Sequence, residues 1–395
     1  MMMNVVEVAG GRPIMVWAEN VETGAMEQAD HLAQLPFLHH HVALMPDCHV
    51  GYGMPIGGVI GTFGAVIPNA VGVDIGCGML SVRTTLNAEM LDRDSLKRVF
   101  GGSKEFHGGI RSTIPVGFGH HSKKQDESLM PAATPPEIVA REYQSALHQI
   151  GTLGGGNHFI EFQRDESGAV WFTIHSGSRN LGFKVAKHYN DIAKALNAKW
   201  HVGYSEKWDL AMLPLDSDEG QAYLAEMNYC VEFALRNRLL MAQRVQEALA
   251  EVFSISFDQE INIAHNYATM EHHYGKDVMI HRKGATLARV GTVGIIPGSQ
   301  GSHSYIVTGK GNPQSFDSCS HGAGRKMGRK EAQRSLDLAG EQAALDAAGI
   351  MHSVRGASDL DEAPGAYKDI ERVMKLQTDL VDVLHTLSPI AVMKG

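Results

Sequence analysis

The sequence predicts an α+β fold that forms one large unit over residues 1–395. Strand patterns and helix patterns both recur along the chain, and neither an internal repeat nor a low-complexity linker divides it. With 395 residues, of which 44% are hydrophobic and 20% charged, the chain is long enough to bury a substantial core. This composition is typical of a soluble globular protein.

Charge and cysteine content narrow the partners and the compartment. With 44 acidic against 35 basic residues the net charge is -9, so a nucleic acid would need a local basic patch. Four cysteines are too few for a disulfide scaffold in this chain and indicate reduced thiols. The first residues lack a signal-peptide pattern, and no apolar run is long enough to span a bilayer. We therefore expect a cytoplasmic protein without a membrane partner.

The first half of the chain alternates short β-rich runs with helices. Three consecutive histidines, 39–41, lie in a strand pattern, where successive side chains point to opposite faces, so we expect a structural or surface role for them. Asp47 and His49 share one face and are candidates for a supporting or catalytic role. Residues 101–135 are polar and glycine-rich and predict a surface loop or lid. The patterns predict strands at 5–8, 14–17, 37–49, 59–60, 65–67 and 79–84, and helices at 22–35, 88–99 and 134–150, the last capped by Thr134.

The second half begins with a glycine loop, 151–156, that leads into a predicted hairpin. Apolar residues at helical spacing, such as Leu224, Met227 and Val231, predict a helix at 218–253 that packs in the core. A lysine one residue from the end of a sequence normally lies in a frayed segment. The β-rich run just before Lys394 predicts instead that this segment is held in place. The remaining patterns predict hairpin strands at 157–162 and 170–174, strands at 260–267, 278–282 and 390–393, and helices at 183–200 and 367–387.

Glycines surround two potential metal ligands between Gly72 and Gly78. The stretch reads Gly-Val-Asp-Ile-Gly-Cys-Gly, with Asp74 three residues before Cys77. Glycine permits the tight or left-handed backbone that would bring both side chains toward one point. A thiolate and a carboxylate on such a turn could hold a cation, and a thiolate could bridge two. Taken alone, the pair fits a buried cysteine and a turn-capping aspartate better.

Three histidines at strand ends favour the metal interpretation. His158 and His175 stand on the two strands of the predicted hairpin, and His265 ends a later strand. One such histidine is usually a structural residue. Several of them, together with Asp74 and Cys77, favour a metal site.

Two later loops are candidates for a phosphate or nucleotide site. Residues 294–304 are rich in glycine and serine and offer many backbone donors, which alone is weak evidence. His321 lies in a glycine turn before a predicted basic helix, where backbone N–H groups favour phosphate and the imidazole could act as a nucleophile. The basic residues there form either the local patch that the acidic chain otherwise lacks or a solvated helix face: Arg325, Lys326, Arg329, Lys330 and Arg334.

Six motifs, in order, resemble the RtcB family of RNA-splicing ligases from about residue 13 to Gly395. Each alone would be weak evidence, but together they are specific. The resemblance implies an RtcB-type fold with mixed sheets surrounded by helices around a central two-metal cleft. The motifs are Pro46-Asp47-Cys48-His49, Gly72-Val73-Asp74-Ile75-Gly76-Cys77-Gly78, Gly154-Gly155-Gly156-Asn157-His158-Phe159-Ile160-Glu161, His175-Ser176-Gly177-Ser178-Arg179, His265-Asn266-Tyr267 and Ser320-His321-Gly322-Ala323-Gly324-Arg325.

The resemblance implies a GTP- and Mn²⁺-dependent ligase that acts in RNA splicing, tRNA processing or RNA repair. Its substrates would be RNA ends with a 3′-phosphate or 2′,3′-cyclic phosphate and RNA ends with a 5′-hydroxyl, and an archease-like activating partner is compatible with it. His321 would attack the α-phosphate of GTP, GMP would pass from His321 to the RNA 3′-phosphate, and the 5′-hydroxyl would displace it. By the same analogy Asp74, Cys77 and His158 would hold one manganese, and Cys77, His175 and His265 the second. The ligands alone would favour zinc.

The resemblance also assigns nucleotide and RNA contacts. Glu161 and Lys394 would offer an acceptor and a donor to the purine edge. Weaker assignments to RNA phosphates are Arg179, Arg238, Arg325 and Arg329. The guanylate-binding set comprises Asn157, His158, Phe159, Ile160, Glu161, His265, Asn266, Pro297, Gly298, Ser299, Gln300, Ser304, His321, Gly322, Ala323, Gly324 and Lys394.

Two segments depart from the family pattern. Family members often read Pro-Asp-Val-His-Leu-Gly-Lys-Gly, where this chain has Cys48, Val50 and Tyr52 in place of the valine, leucine and lysine. The missing lysine puts one contact to RNA or nucleotide, and with it the substrate range, in doubt. Gln300 stands where methionine is common.

Two other interpretations fit the same motifs. One is a two-metal phosphoesterase in which His321 acts as an acid or base. The other is an RNA-binding protein whose ligase chemistry has lapsed.

Overall fold

The computed structural model describes residues 3–102 and 107–395 and shows a mixed α/β fold, which confirms the predicted combination of sheets and helices. The strands are β1 Asn4–Val6, β2 Ile14–Val16, β3 Leu38–His49, β4 Ile56–Thr62, β5 Ala65–Val66, β6 Gly78–Asn87, β7 Phe159–Arg164, β8 Ala169–Ser176, β9 Leu213–Pro214, β10 Phe257–Ala264, β11 Asn266–His273, β12 Lys276–Lys283, β13 Ala285–Leu287, β14 Val293–Ile296, β15 Ser304–Gly309, β16 Ser318–Ser320 and β17 Val381–Lys394. The helices are α1 Thr23–Ala33, α2 Pro68–Val71, α3 Arg93–Phe100, α4 Ile110–Thr113, α5 Glu137–Gln149, α6 Arg179–Trp200, α7 Asp218–Ala250, α8 Arg329–Ser335, α9 Leu338–Ala347 and α10 Ile370–Lys375.

Two large sheets carry the fold. One has six strands in the order β1-β2-β3-β4-β12-β11, and the other has seven in the order β10-β6-β8-β7-β17-β15-β14. The predicted hairpin is confirmed as β7 and β8, which pair antiparallel. Its turn is closed by Asp165, whose Oδ1 accepts hydrogen bonds from the backbone N–H groups of Ser167 and Ala169 at 2.9 and 3.0 Å.

The 33-residue helix α7 packs along its whole length in the core, as its apolar spacing predicts. Its first half contributes Met227 and Phe233 to one hydrophobic cluster, and its second half contributes Met241 and Val245 to another beneath the seven-stranded sheet. The side chain of Ser217 caps its start by accepting a hydrogen bond from the N–H of Gly220 at 3.0 Å. None of the helices in the two described ranges combines the length and hydropathy of a membrane-spanning segment.

The start of α5 is capped differently from the prediction. The helix begins at Glu137 after Pro136 and has no side-chain cap of its own, so Thr134 does not cap it. Instead the carboxylate of Glu226, on α7, accepts hydrogen bonds from the N–H groups of Ile138 and Val139 at 2.6 and 3.0 Å. A distant buried acid therefore satisfies helix donors that local sequence leaves unpaired.

The predicted helix at 367–387 is wrong. Only Ile370–Lys375 is helical, and the segment from Val381 onward forms β17, which pairs with β15 and β7. Non-local pairing on both edges outweighs the local helical pattern. The end of the chain is held in this strand, as predicted for Lys394.

Two other predicted segments differ in detail. The helix at 88–99 is divided, because Asp92 accepts a hydrogen bond from the N–H of Ser95 at 2.7 Å and starts α3 afresh. The loop at 101–135 contains α4 and a turn at Glu127–Leu129, while residues 103–106 lie outside the described ranges.

The consecutive histidines of β3 have separate structural partners, as predicted. His39 approaches the carbonyl oxygen of His273 at 3.2 Å, and the ring of His40 stacks on Tyr274 with centroids 3.7 Å apart. His41 is buried and its Nε2–H donates to the carbonyl oxygen of Gln314 at 2.7 Å. Burial lowers the pKa of His41 to about 4, so the residue stays neutral in the core.

A buried histidine of β12 makes stability pH-dependent. The N–H of Ile67 donates to Nε2 of His281 at 3.0 Å, which requires a neutral ring, and burial lowers the pKa of His281 from 6.5 to about 4. The unfolded chain takes up this proton first, so the contribution is complete above pH 6.5 and is lost as pH falls toward 4. The unfolding free energy of the wild type should fall between pH 6.5 and pH 4. We expect this fall to be smaller in His281→Gln by up to about 3 kcal/mol. Denaturant unfolding across this range measures it. The exposed-site variant His120→Gln should follow the wild type, and parallel curves for all three proteins would contradict the assignment.

Candidate active site

Strand pairing brings the predicted metal ligands to one end of the seven-stranded sheet. Cys77 immediately precedes β6, and in that strand Met79 pairs with His175 of β8. Gly78 pairs with Ala264, so His265 follows at the same end of the sheet. His158 directly precedes β7, whose first residue pairs with His175. The register alone therefore gathers side chains that are far apart in sequence.

The Gly72–Gly78 turn needs its glycines for space as well as for backbone freedom. Gly72 and Gly76 have φ of 95° and 72°, in the left-handed region that favours glycine. A Cβ on Gly76 would lie 2.8 Å from the Cα of Val231 on α7. Facing the turn, a Cβ on Gly177 would lie 2.1 Å from Oδ1 of Asp74. The glycines thus let the turn lie against α7 and leave room for the carboxylate.

The candidate ligand atoms form a continuous series of short contacts. Asp74 Oδ2 lies 3.1 Å from Nε2 of His158, and Cys77 Sγ lies 3.5 Å from the same nitrogen. Cys77 Sγ is also 3.3 Å from Nε2 of His175, which lies 3.4 Å from Nε2 of His265. The ligand atoms of Cys77, His158 and His175 all lie within 4.8 Å of one another. Cys77 is therefore central to the series, as a bridging ligand would be.

The outer nitrogens orient two of these rings. Carbonyl oxygens only accept hydrogen bonds, so Nδ1–H of His158 donates to Leu153 at 2.9 Å and Nδ1–H of His175 donates to Asn157 at 3.0 Å. Both Nε2 atoms consequently face Cys77. Such outer hydrogen bonds fix the tautomer of metal-binding histidines. The donor set of one thiol, one carboxylate and three imidazoles fits divalent cations.

The electrostatics of the pocket also fit a cation. Burial lowers the pKa of His175 and His265 well below the usual range and raises that of the Cys77 thiol well above it. Burial disfavours the charged form of Asp74, but the hydrogen bond with His158 outweighs this effect and lowers the pKa of Asp74 to about 2. A bound cation would replace the thiol proton of Cys77, because metal binding releases protons from such ligands.

Arg238 is buried beneath the Gly72–Gly78 turn and does not face solvent. Its side chain is 1% exposed, and Nη1 donates to the carbonyl oxygens of Gly76 and Ser176, both at 2.9 Å. Nε donates to Oδ1 of Asn262 at 2.8 Å. The prediction that Arg238 contacts RNA phosphate is therefore wrong.

Asp74, Cys77, His158, His175 and His265 are called the metal-ligand cluster below. His321 lies beside this cluster and is held by Asp47. Its Nδ1–H donates to Oδ2 of Asp47 at 2.7 Å, and the same oxygen accepts from the backbone N–H groups of His321 and Gly322 at 3.1 and 3.2 Å. The ring centroid of His321 is 4.8 Å from that of His265. A proton fixed on Nδ1 leaves the Nε2 lone pair free. This is the arrangement in which a histidine acts as a nucleophile or base.

The helix-terminus argument for His321 is wrong. The basic helix α8 begins at Arg329, and Arg325 and Lys326 precede it. The glycine turn packs instead against Asp47, because a Cβ on Gly324 would lie 2.1 Å from the Asp47 carbonyl oxygen.

We expect Asp47→Asn to slow the reaction of His321 without displacing the ring. An amide no longer stabilises the positive charge that Nδ1 acquires when Nε2 reacts, so turnover should fall about 10- to 100-fold. The fall should appear in kcat rather than in KM, because Asp47 is 0% exposed and is not among the residues that line the cavity. An unchanged kcat in a folded variant would contradict the positioning role.

A single cavity of about 860 Å³ connects these groups. Four predicted metal ligands line it: Asp74, Cys77, His175 and His265. So does most of the predicted guanylate set: Asn157, Phe159, Glu161, His265, Asn266, Pro297, Gly298, Ser299, Gln300, His321, Gly322, Ala323, Gly324 and Lys394.

Three members of the predicted guanylate set do not line the cavity. Ile160 points into the core beneath the sheet, opposite to Phe159 and Glu161. Ser304 is buried, and its Oγ accepts a hydrogen bond from the N–H of Gly298 at 3.2 Å. His158 turns its ring toward the metal-ligand cluster.

One wall of the cavity carries an ionic network that sequence reasoning missed. Glu362 accepts from Nζ of Lys394 at 2.8 Å and pairs with Arg329, while the hydroxyl of Tyr367 donates to it. Burial opposes the charge on Glu362, but Lys394 and Arg329 lower its pKa to about 2. Gln300 belongs to the same wall, since its Nε2 donates to the carbonyl oxygen of Glu362 at 2.9 Å. The sequence signal for this network was Lys394, a charged residue that directly follows a β-rich run.

Glu161 is buried, and one of its two carboxyl oxygens has no hydrogen-bond partner among the described residues. The side chain is 3% exposed; Oε2 accepts from Gln163 at 2.9 Å, but Oε1 has no partner. Burial raises the pKa of Glu161 well above its usual value. A buried, unpaired polar atom next to a cavity indicates a ligand with a matching polar group.

The fold and the site together define a mixed α/β protein with a candidate metal centre at the floor of a large cavity. A sequence model of the family described as tRNA-splicing ligase RtcB matches residues 28–395. The RNA-splicing ligase RtcB of Escherichia coli strain K12 is 37% identical over 97% of this chain and 97% of its own length. The tRNA-splicing ligase RtcB of Archaeoglobus fulgidus is 33% identical over 95% and 92%, and the RNA-splicing ligase RtcB of Mycobacterium bovis is 32% identical over 93% and 100%. This chain belongs to the RtcB family.

Proposed function

We propose that this protein is a GTP-dependent RNA ligase that joins 3′-phosphate or 2′,3′-cyclic phosphate ends to 5′-hydroxyl ends. The observation that carries the proposal is the arrangement of His321: a buried carboxylate fixes its proton on Nδ1, beside a cluster of metal-ligand side chains in one cavity. That arrangement suits attack on a phosphorus atom. Family membership supports the same reaction class.

In the first step Nε2 of His321 attacks the α-phosphorus of GTP, and the bond from that phosphorus to the bridging oxygen breaks. Pyrophosphate leaves, and GMP becomes linked to His321. The ring gains positive charge, which the carboxylate of Asp47 stabilises through Nδ1–H. Next, an oxygen of the RNA 3′-phosphate attacks the same phosphorus, and the neutral imidazole departs. Finally, the 5′-hydroxyl oxygen attacks the RNA 3′-phosphate and loses its proton to water, the bond from that phosphorus to the GMP oxygen breaks, and GMP leaves. A 2′,3′-cyclic phosphate end enters this sequence after water opens the ring to a 3′-phosphate.

Metal ions fit this scheme as charge-neutralising groups. Asp74, Cys77 and His158 would hold one cation, and Cys77, His175 and His265 a second; we propose manganese on the family resemblance. When bound, the pair would neutralise phosphate charge and orient the reacting groups.

The guanine edge is assigned to the wall formed by Glu161 and Lys394. The ring of Phe159 offers a flat surface beside them, with its centroid 5.8 Å from Nζ of Lys394. The unpaired Oε1 of Glu161 suits an N–H donor of a purine. The remaining cavity-lining members of the predicted set would bind the ribose and phosphates.

RNA phosphates are assigned to Arg179, Arg325 and Arg329. Arg325 and Arg329 line the cavity, and Nη1 of Arg179 lies 3.4 Å from Nδ1 of His158. Because side chains from Asp74 to Lys394 line the same cavity, we treat residues 1–395 as one ligase domain. We also propose a cytoplasmic location, in keeping with the four free cysteines, and leave an archease-like activator as a compatible partner.

Labelling with α-³²P-GTP and Mn²⁺ tests the proposal. A phosphorus–nitrogen link to histidine is expected to give a protein-bound label that is acid-labile and alkali-stable. Addition of RNA with a 3′-phosphate should discharge the label, and a 5′-hydroxyl strand should then give a joined product. A phosphoesterase would release phosphate from RNA without labelling the protein, and that result, or the absence of both label and joined RNA, would refute the ligase.

A further inference from the structure

An exposed aromatic side chain lines the cavity that contains His321. Tyr52 is 76% exposed, and its ring and hydroxyl have no partner within residues 3–102 and 107–395. Val50 and Val73, each 45% exposed, line the same cavity. Exposed apolar side chains gathered at the mouth of a cavity that also contains charged groups indicate a binding surface.

The backbone of this loop is fixed by side chains from two other elements. The amide of Gln28, on α1, donates to the carbonyl oxygen of Gly51 at 2.6 Å and accepts from its N–H at 3.1 Å. Nζ of Lys283 donates to the carbonyl oxygens of Tyr52 and Asn69 at 2.6 and 2.9 Å. The ring is therefore presented on an ordered loop, and binding against it costs little additional backbone ordering.

Lys283 also places Tyr52 on the metal-ligand side of the cavity. A Cβ on Gly72 would lie 3.3 Å from Cε of Lys283, so the lysine packs against the Gly72–Gly78 turn while it holds the Tyr52 carbonyl. In the proposed reaction the RNA 3′-phosphate reacts at His321, and Tyr52 lines the same cavity.

Cationic side chains line the same cavity. Lys330 and Arg334 of α8 both do so, and neither has an ion-pair partner in the part of the chain that the structure describes. Single-stranded nucleic acid is bound by this combination, in which positive groups follow the phosphates and bases stack on aromatic rings.

We propose that Tyr52 is a stacking platform for an unpaired base at the end of the RNA strand that carries the 3′-phosphate. The assignment rests on the proposed function.

Binding of a single-stranded RNA with a 3′-phosphate tests the platform without requiring turnover. Tyr52→Ala is expected to raise the Kd about 5- to 100-fold, whereas Tyr52→Phe retains binding, because stacking needs the ring and not the hydroxyl. A base-free control strand, of the same length and with the same 3′-phosphate but with abasic sugars at its last two positions, should bind the wild type and Tyr52→Ala equally. Phe63→Ala is the matched control, since Phe63 is 62% exposed and lies outside the cavity.

Two results would overturn the platform. One is wild-type affinity of Tyr52→Ala for the intact strand, and the other is an equal loss for the intact and the base-free strand. Labelling with GTP separates this failure from failure of the ligase. A wild-type protein that takes up label but shows no ring-dependent binding refutes Tyr52 alone, whereas absent label and joining refute the proposed function.

Discussion

Replacing His321 with alanine is expected to abolish attachment of GMP to the protein, reducing the label by at least about 1,000-fold. The carboxylate of Asp47 holds the proton of His321 on Nδ1 and leaves Nε2 free. The other histidines that line the cavity in the described ranges differ: the rings of His175 and His265 belong to the metal-ligand cluster, and Nδ1–H of His49 donates to the carbonyl oxygen of Asp47, which is not a carboxylate. Alanine removes the proposed nucleophile and leaves the proposed metal ligands in place. Incorporation of α-labelled GTP, followed on denaturing gels, measures the effect.

The scheme also predicts which step survives in His321→Ala. The last step joins a 5′-hydroxyl to an RNA end that already carries GMP, and His321 takes no covalent part in it. A chemically prepared RNA of this kind should therefore be joined by the variant, which controls for its folding. The exposed-site variant His120→Ala should label like the wild type. Persistent alkali-stable label on His321→Ala would place the nucleophile elsewhere.

Much of the fold could be predicted because its signals are local. The β7–β8 hairpin follows from β-rich runs on either side of Asp165, whose side chain closes the turn. Helix α7 follows from apolar spacing. By contrast, β17 depends on pairing with β15 and β7, and the cap of α5 depends on Glu226, some 90 residues away. Neither partner is visible in a local window of sequence.

The same distinction explains what could be predicted of the site. Cysteine and histidine near glycine are uncommon enough to indicate ligands, and the register of β6, β8 and β10 then brings them together. Glu362 and Lys283 were missed, because each acquires its role from a partner that only folding supplies. Those partners are Lys394 for Glu362 and the Tyr52 carbonyl oxygen for Lys283. Arg238 was misassigned because helical position alone did not reveal its burial.

Replacing Cys77 with serine is expected to remove both proposed cations together. Cys77 Sγ contacts Nε2 of His158 and of His175, so it is the one side chain that joins the two ligand groups. A serine hydroxyl ionises far less readily than a thiol and is a poor substitute for a thiolate ligand. We expect bound metal to fall at least about tenfold, and labelling by GTP to fall with it. Elemental analysis of protein loaded with Mn²⁺ or Zn²⁺ and then dialysed measures the loss.

The control for this loss is another buried cysteine. Cys48 is buried in β3 outside the ligand series, so Cys48→Val should keep both metal and label. A fall of about half in the metal content of Cys77→Ser would mean that the thiolate serves one cation and that Asp74 and His158 hold the other without it. Full metal content would refute the bridging role. Loss of both ions, with secondary structure unchanged by circular dichroism, is the result that a shared ligand between Asp74–His158 and His175–His265 requires.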